Sequence, residues 1–94
     1  MPDLVSDDAV TAALGTLKWD REGDELVKVV IAKDFAGAMR FVNAVAGLAE
    51  AADHHPDISI SWNKVTLGLT SHDAGGLTQR DLDLATRIDG LGQA

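Results

Sequence analysis

An α+β fold is predicted for this 94-residue chain by three features: amphipathic helices with clear ends, strand-like runs in pairs, and their order along the sequence. The predicted order is αββαββα. Two hairpins joined by a helix favour a four-stranded antiparallel sheet with the helices packed on one face. The length allows one two-layer core and no second, so residues 1–94 are expected to form a single domain.

The first helix and the first hairpin are predicted from caps and turn residues. Ser6 is a favourable N-cap, and Gly15 is typical of a helix end, so we expect a short helix between them. Residues 16–19 and 25–32 have the composition of strands. The polar segment 20–24 between them predicts the turn of a hairpin.

The second helix is predicted to begin after Asp34, a good N-cap, and to extend from residue 35 to about residue 53. Pro56 cannot continue a helix and biases His55 toward an extended backbone. Apolar residues recur at helical spacing along the segment, which indicates a core-facing stripe. They are Ala38, Phe41, Val42, Val45, Leu48, Ala49 and Ala52.

A second hairpin is predicted from alternating apolar residues in 58–62 and 65–69, with Asn63 and Lys64 as a two-residue turn. Extending this register brings His55 opposite His72. The predicted cross-strand pairs are Trp62 with Val65, Ile60 with Leu67, and Ile58 with Leu69.

The last helix should follow a glycine-containing loop at 72–76. Thr78 is predicted to be its N-cap, with Asp81 three residues later completing a capping box, and the helix should end near residue 89.

Composition restricts the class of function. Fifteen acidic against eight basic residues give a formal net charge of −7, which repels nucleic-acid backbones. Cysteine is absent, as are a signal-peptide pattern and an apolar run long enough to span a membrane. We therefore expect a cytoplasmic protein that binds neither nucleic acid nor membranes.

Three histidines form the candidate site. His54 and His55 lie at the end of the second helix, and the hairpin brings His72 toward them. Histidine changes protonation near neutral pH, so such a cluster can supply both an acid and a base. Glu50, four residues before His54, should lie on the same helix face and favour the protonated imidazole of His54.

Two other interpretations compete with acid–base chemistry. A single histidine is more often an ordinary surface or core residue than a functional one. Metal binding is disfavoured, because adjacent histidines on an extended segment point in opposite directions and no helical i, i+4 histidine pair is present.

Seven residues stand at a distinctive spacing: Glu50, His54, His55, Pro56, Trp62, His72 and Asp81. This spacing resembles the signature of pterin-4a-carbinolamine dehydratases. The segments 62–65 and 70–78 also look like that family, and the resemblance covers nearly the whole chain.

The resemblance implies a cytoplasmic enzyme that removes water from 4a-hydroxytetrahydropterin and yields quinonoid dihydropterin for pterin recycling. It implies no metal and no organic cofactor. It also implies a homodimer or homotetramer in which the sheet continues between subunits. Some family members serve as dimerisation cofactors for a homeodomain transcription factor, so a non-catalytic adaptor of the same fold is the alternative function.

The resemblance also assigns roles to residues. His54 and His72 become the acid–base candidates, and His55 becomes the residue that orients the pterin. Glu50 and Asp81 match supporting acidic positions. The positions expected to contact the pterin are Pro56, Ser71, His72, Asp73 and Ala74. Two departures from well-known members, Ile58 for an aromatic residue and Ala74 for a cysteine, bear on the pocket shape and the pterin side-chain preference.

Overall fold

The computed structural model describes residues 3–92, which form three helices and one four-stranded antiparallel sheet in the predicted order. The elements are α1 (Asp7–Leu14), β1 (Asp20–Glu22), β2 (Glu25–Ile31), α2 (Phe35–Ala52), β3 (Asp57–Ser61), β4 (Lys64–Leu69) and α3 (Gln79–Asp89). The α+β class is confirmed. Within residues 3–92, no helix combines the length and apolar character that crossing a membrane requires.

The sheet has the strand order β1-β2-β4-β3, and the helices cover one of its faces. Val29 and Ile31 on the other face of β2 are exposed. The core joins the covered face to one side of each helix. Its larger members are Val10 of α1, Leu26 of β2, Phe41 and Val45 of α2, Val65, Leu67 and Leu69 of β4, and Leu84 and Ile88 of α3.

The predicted helix boundaries follow from caps that the structure contains. Ser6 Oγ accepts the N–H of Ala9 at 3.2 Å, and Asp34 Oδ1 accepts the N–H of Gly37 at 2.7 Å, so each cap satisfies a donor that a helix start leaves free. At the other end of α2, Asp53 adopts a left-handed conformation with φ 50° and ends the helix.

The predicted position of the first strand is wrong. The strand occupies Asp20–Glu22 rather than residues 16–19, and the hairpin turns at residues 23–24. The reason is Asp89 at the end of α3, whose carboxylate accepts the backbone N–H of Lys18 at 2.8 Å and the indole N–H of Trp19 at 2.9 Å. These bonds draw the segment toward α3 instead of the sheet.

The predicted register of the second hairpin is wrong by two residues. Ser61 pairs with Lys64, so the turn consists of Trp62 and Asn63. Trp62 takes φ 51°, an unfavourable conformation for a bulky side chain. Asn63 is bonded to Ala32 at the end of β2: its carbonyl accepts the Ala32 N–H at 2.8 Å, and its amide donates to the Ala32 carbonyl at 3.0 Å.

This shift changes the cross-strand pairs but not the faces of the sheet, because two residues are one full period of a strand. Ile60 pairs with Val65, and Ile58 pairs with Leu67. The correction removes the expected opposition of His55 and His72. Extending the observed register past the strand ends places His54 opposite Ser71 instead.

Candidate active site

His54 is placed by the end of α2. The left-handed Asp53 turns the chain, and the backbone N–H of His54 then donates to the carbonyl of Ala49 at 3.1 Å, which closes the helix end. The imidazole is directed into the protein, where the residue is 8% exposed. Its Nε2 lies 2.6 Å from Oδ1 of Asp81.

Asp81 is fully buried, and donors surround its carboxylate. It lies in the first turn of α3, where Oδ2 accepts the backbone N–H of Thr78 at 2.9 Å in the predicted capping box. Oδ2 also accepts a hydrogen bond from Ser71 Oγ at 2.8 Å. Burying a carboxylate is costly unless such partners compensate for lost water. Here the helix cap itself supplies part of that compensation.

His55 is paired with Glu50, and this corrects the expected pairing of Glu50 with His54. The distance from His55 Nε2 to Glu50 Oε2 is 2.5 Å, and both side chains are exposed. The expected pairing requires α2 to continue through His54. Because α2 ends before Asp53, the ring of His54 turns inward and the next residue takes the carboxylate.

His72 lies on a loop that closes on itself. An antiparallel bridge between Ser71 and Gly76 encloses residues 72–75, and Gly75 takes φ 76°, a left-handed conformation suited to glycine. His72 is exposed. The preceding residue, Ser71, is bonded to Asp81, so one buried carboxylate joins His54 to the start of the His72 loop.

The remaining predicted pterin contacts divide into buried and accessible positions. Ser71 is 1% exposed, and its hydroxyl is engaged inside the protein, so it supports the site from behind. Pro56 and Ala74 are half-buried, and Asp73 is exposed. Asp73, Ala74 and Pro56 therefore have surface available for a ligand.

Asp73 is bonded to Arg80 of α3, at 2.6 Å from Oδ1 to Nη2. The hydrogen bond from this guanidinium lowers the pKa of the Asp73 carboxyl below its ordinary value of 3.8, and the positive charge of Arg80 acts in the same direction. The pair connects the His72 loop to α3 from outside, while Ser71 connects it from inside.

Thr78 and Arg80 have contacts in the site that the sequence prediction did not assign. Thr78 appears in the sequence only as an N-cap, yet its Oγ1 lies 2.8 Å from Ser71 Oγ. The capping-box spacing of Thr78 and Asp81 was the available signal. No local pattern predicts the bond of Arg80, because its partner belongs to a loop whose path depends on the tertiary fold.

The arrangement links the end of α2 to the His72 loop. His54 is buried and held by a buried carboxylate, whereas His55 and His72 are accessible. Such groups can transfer protons to and from a ligand without any covalent step.

Known proteins share the sequence and the fold of this chain. Residues 3–91 match the family model described as pterin 4 alpha carbinolamine dehydratase. A relative from Roseiflexus sp. (strain RS-1) is 56% identical over 90 residues, which cover 95% of this chain and 97% of the relative. A relative from Natronomonas pharaonis is 45% identical over 93 residues, which cover 99% and 100%. Both have the provisional name pterin-4-alpha-carbinolamine dehydratase.

Two solved structures have the same fold. One, from Brucella melitensis, is described as a transcriptional coactivator/pterin dehydratase; it superposes with a TM-score of 0.88 at 26% identity, covering 94% of this chain and 97% of that chain. The other is a pterin dehydratase-like protein described as a RuBisCO assembly factor of the alpha-carboxysome, with a TM-score of 0.65, 24% identity and coverages of 83% and 92%. From the family match and the full-length relatives, this chain belongs to the pterin 4 alpha carbinolamine dehydratase family.

Proposed function

We propose that this protein dehydrates 4a-hydroxytetrahydropterin to quinonoid dihydropterin by histidine acid–base catalysis. The observation that carries the proposal is the link from His54 through Asp81 and Ser71 to the His72 loop. It connects a buried imidazole to a loop that presents an accessible one. Membership of the dehydratase family supports the substrate class.

The reaction requires two proton movements and no redox partner. The C4a–O bond breaks, and the leaving hydroxyl takes a proton from an acid and departs as water. N5 gives its proton to a base, and the electron pair of the N5–H bond forms the N5=C4a double bond. One protonated and one neutral imidazole can perform both steps. After the reaction the acid has lost a proton and the base has gained one, so the two imidazoles have exchanged roles.

In the proposed mechanism, His54 and His72 handle these protons and His55 orients the pterin. His54 has a fixed position because Asp81 holds its ring. His72 lies on the neighbouring loop, exposed to a ligand. His55 is held by Glu50 at the surface, where its ring can form one side of the binding site.

The test is the rate at which freshly generated 4a-hydroxytetrahydropterin decays, followed by ultraviolet absorbance. Positioned acids and bases contribute typically about 10²–10⁴-fold, so His72→Ala and His54→Gln should each lower kcat by that order. The glutamine is chosen because its amide can still donate to the buried Asp81. His55→Ala should act mainly on KM.

Asn43→Ala, a change on the exposed side of α2, provides the control and should keep the wild-type rate. Circular dichroism of each variant separates loss of chemistry from loss of fold. Folded His54 and His72 variants that retain full turnover would refute the acid–base assignment. A wild-type protein that leaves the decay unchanged would refute the dehydratase itself.

We also propose that two copies pair through β3 to form a homodimer with a continuous sheet. All five residues of β3 are exposed at the edge of the sheet, where one side of the strand has no neighbour within residues 3–92. Ile58 and Ile60, 38% and 36% exposed, lie there on the face that the helices cover elsewhere. Strand pairing would satisfy the open backbone groups and bury these side chains. A homotetramer would form by association of two such dimers.

The adaptor alternative is favoured by one observation, the Brucella melitensis structure described as a coactivator as well as a dehydratase. The absorbance assay distinguishes the two functions. An adaptor without catalysis would form the dimer and leave the pterin decay at the uncatalysed rate.

A further inference from the structure

We propose that Thr78 and Ser71 are positioning residues, which hold the His54 ring with its proton on Nε2 and leave Nδ1 as the nitrogen that meets the substrate. The inference rests on the proposed function for its catalytic consequence. The arrangement of protons is argued from the buried contacts alone. Neither hydroxyl is placed in contact with the substrate.

The direction of the hydrogen bonds follows from what each group can donate. The Asp81 carboxylate only accepts, and Ser71 Oγ and the Thr78 N–H both donate to its Oδ2. A serine hydroxyl has one proton, which Ser71 therefore gives to Asp81. The 2.8 Å contact between Ser71 Oγ and Thr78 Oγ1 must then use the proton of Thr78.

The Thr78 end of this series of hydrogen bonds is fixed as well. Thr78 Oγ1 accepts the backbone N–H of Arg80 at 3.3 Å, so the Thr78 hydroxyl cannot reverse without turning its proton toward a donor. Donation runs in one direction, from Thr78 to Ser71 to Asp81. Thr78 and Ser71 are each 1% exposed, so water does not offer the chain a competing partner.

His54 occupies the other oxygen of the same carboxylate. Because Oδ1 of Asp81 accepts, the nitrogen 2.6 Å away must donate, and this nitrogen is Nε2. In a neutral ring the remaining nitrogen, Nδ1, then has the free electron pair.

Nδ1 is also the accessible nitrogen. Within residues 3–92, no buried side-chain nitrogen or oxygen lacks a hydrogen-bond partner. The hydrogen bonds of the His54 ring in that part of the chain involve Nε2 alone. The Nδ1 atom must therefore account for part of the small exposed surface of the residue, where a ligand can reach it.

The first experiment is long-range ¹H–¹⁵N NMR of the neutral His54 ring, with the resonance assigned through His54→Gln. The wild-type ring should show a protonated Nε2 and an unprotonated Nδ1. Thr78→Val keeps the side-chain shape but removes the hydroxyl, and Ser71→Ala removes the donor to Asp81. Both should reduce the fraction of this tautomer, and Thr78→Ser should restore it.

The kinetic experiment compares the effect of each variant on kcat with its effect on KM. Outer partners that orient metal-ligating histidines typically contribute about 10–100-fold to activity. By analogy, Ser71→Ala and Thr78→Val should lower kcat by about tenfold or more with KM little changed. Thr78→Ser should recover the rate. Ser6→Ala is the matched control, because it removes the N-cap of α1 and should leave both the tautomer and kcat unchanged.

A wild-type ring protonated on Nδ1 would overturn the inference. So would folded Ser71→Ala and Thr78→Val proteins with wild-type tautomer and kcat; if Thr78→Val does not fold, Ser71→Ala decides. The tautomer is measured without turnover. The Nε2–H tautomer of His54 can therefore depend on Thr78 in a protein that has no dehydratase activity. That result would support the positioning role and refute the proposed reaction.

Discussion

Two adjacent histidines in this protein are each held by a different carboxylate, one buried and one exposed. The His54–Asp81 contact lies inside the protein, whereas the His55–Glu50 contact is open to solvent. Salt screens an exposed pair strongly and a buried pair much less. When His55 is protonated, increasing ionic strength should therefore loosen its ring from Glu50, while the buried His54 ring keeps its position.

The Asp73–Arg80 pair gives a prediction at the scale of one residue. By NMR titration, the pKa of Asp73 should lie below 3.8, because the Arg80 hydrogen bond favours the carboxylate. A carboxyl with a lowered folded-state pKa contributes stability above its unfolded-state value and loses it as the pH falls through the folded value. Release of the His72 loop from Arg80 should thus occur only in acid.

Arg80→Gln should raise the Asp73 pKa toward its ordinary value, because it removes the main cause of the lowering. Arg87→Gln, two helical turns further along α3, is the matched control and should leave it lowered. An Asp73 pKa that is the same in the wild type and in Arg80→Gln would show that the guanidinium does not cause the shift.

At the scale of elements, the end of α2 decides how the site is built. One left-handed residue, Asp53, ends the helix and separates the inward path of His54 from the outward path of His55. Aspartate tolerates this conformation better than most residues, but glycine adopts it without a steric penalty.

Asp53→Gly should therefore preserve the site and raise the free energy of unfolding by up to about 1 kcal/mol, measured by urea denaturation. Asp83→Gly, inside α3, should lower it, because glycine is unfavourable in a helix interior. A loss of stability in Asp53→Gly would mean that the aspartate side chain contributes more at this position than its backbone strain costs.

The elements that the sequence predicted well are those whose ends depend on local chemistry. Ser6, Asp34 and Thr78 cap their helices by bonds to residues two or three positions away, so each boundary is encoded nearby. The missed features depend on distant residues. Asp89 draws Lys18 away from the sheet, and Ala32 fixes Asn63 in the turn, and neither partner is visible in a local pattern.

In the candidate site too, the features set by local sequence could be predicted and those set by distant residues could not. The three histidines and the capping-box aspartate could be selected from the sequence, because their spacing and residue types are local signals. The pairing could not be selected. Helical spacing favoured Glu50 with His54, whereas the tertiary fold brings Asp81, 27 residues away, to that ring.

For the whole molecule, the prediction concerns the open edge of the sheet. Ser61 and Lys64 flank a two-residue turn and so form a hydrogen-bonded pair. Alternation then directs the backbone N–H of Ser59 toward β4 and those of Ile58 and Ile60 toward the open edge. Ile60→Pro should abolish strand pairing between copies while the fold of each copy persists.

Light scattering should give twice the chain mass of 9.9 kDa for the wild type and the single mass for Ile60→Pro. Ile60→Val retains the N–H and should remain dimeric. A wild-type protein at the single mass would exclude the proposed dimer.

Asp81 both caps the start of α3 and holds the His54 ring, and this double role governs how this part of the protein unfolds locally. The first turn of a helix is ordinarily among the parts that fray most easily, yet here its cap is fastened to a side chain from the end of another helix. The start of α3, the end of α2 and the His72 loop therefore form one cooperative unit. The buried contacts of His54, Asp81 and Ser71 therefore cannot loosen singly, and the weakest of these three segments limits the lifetime of the assembled site.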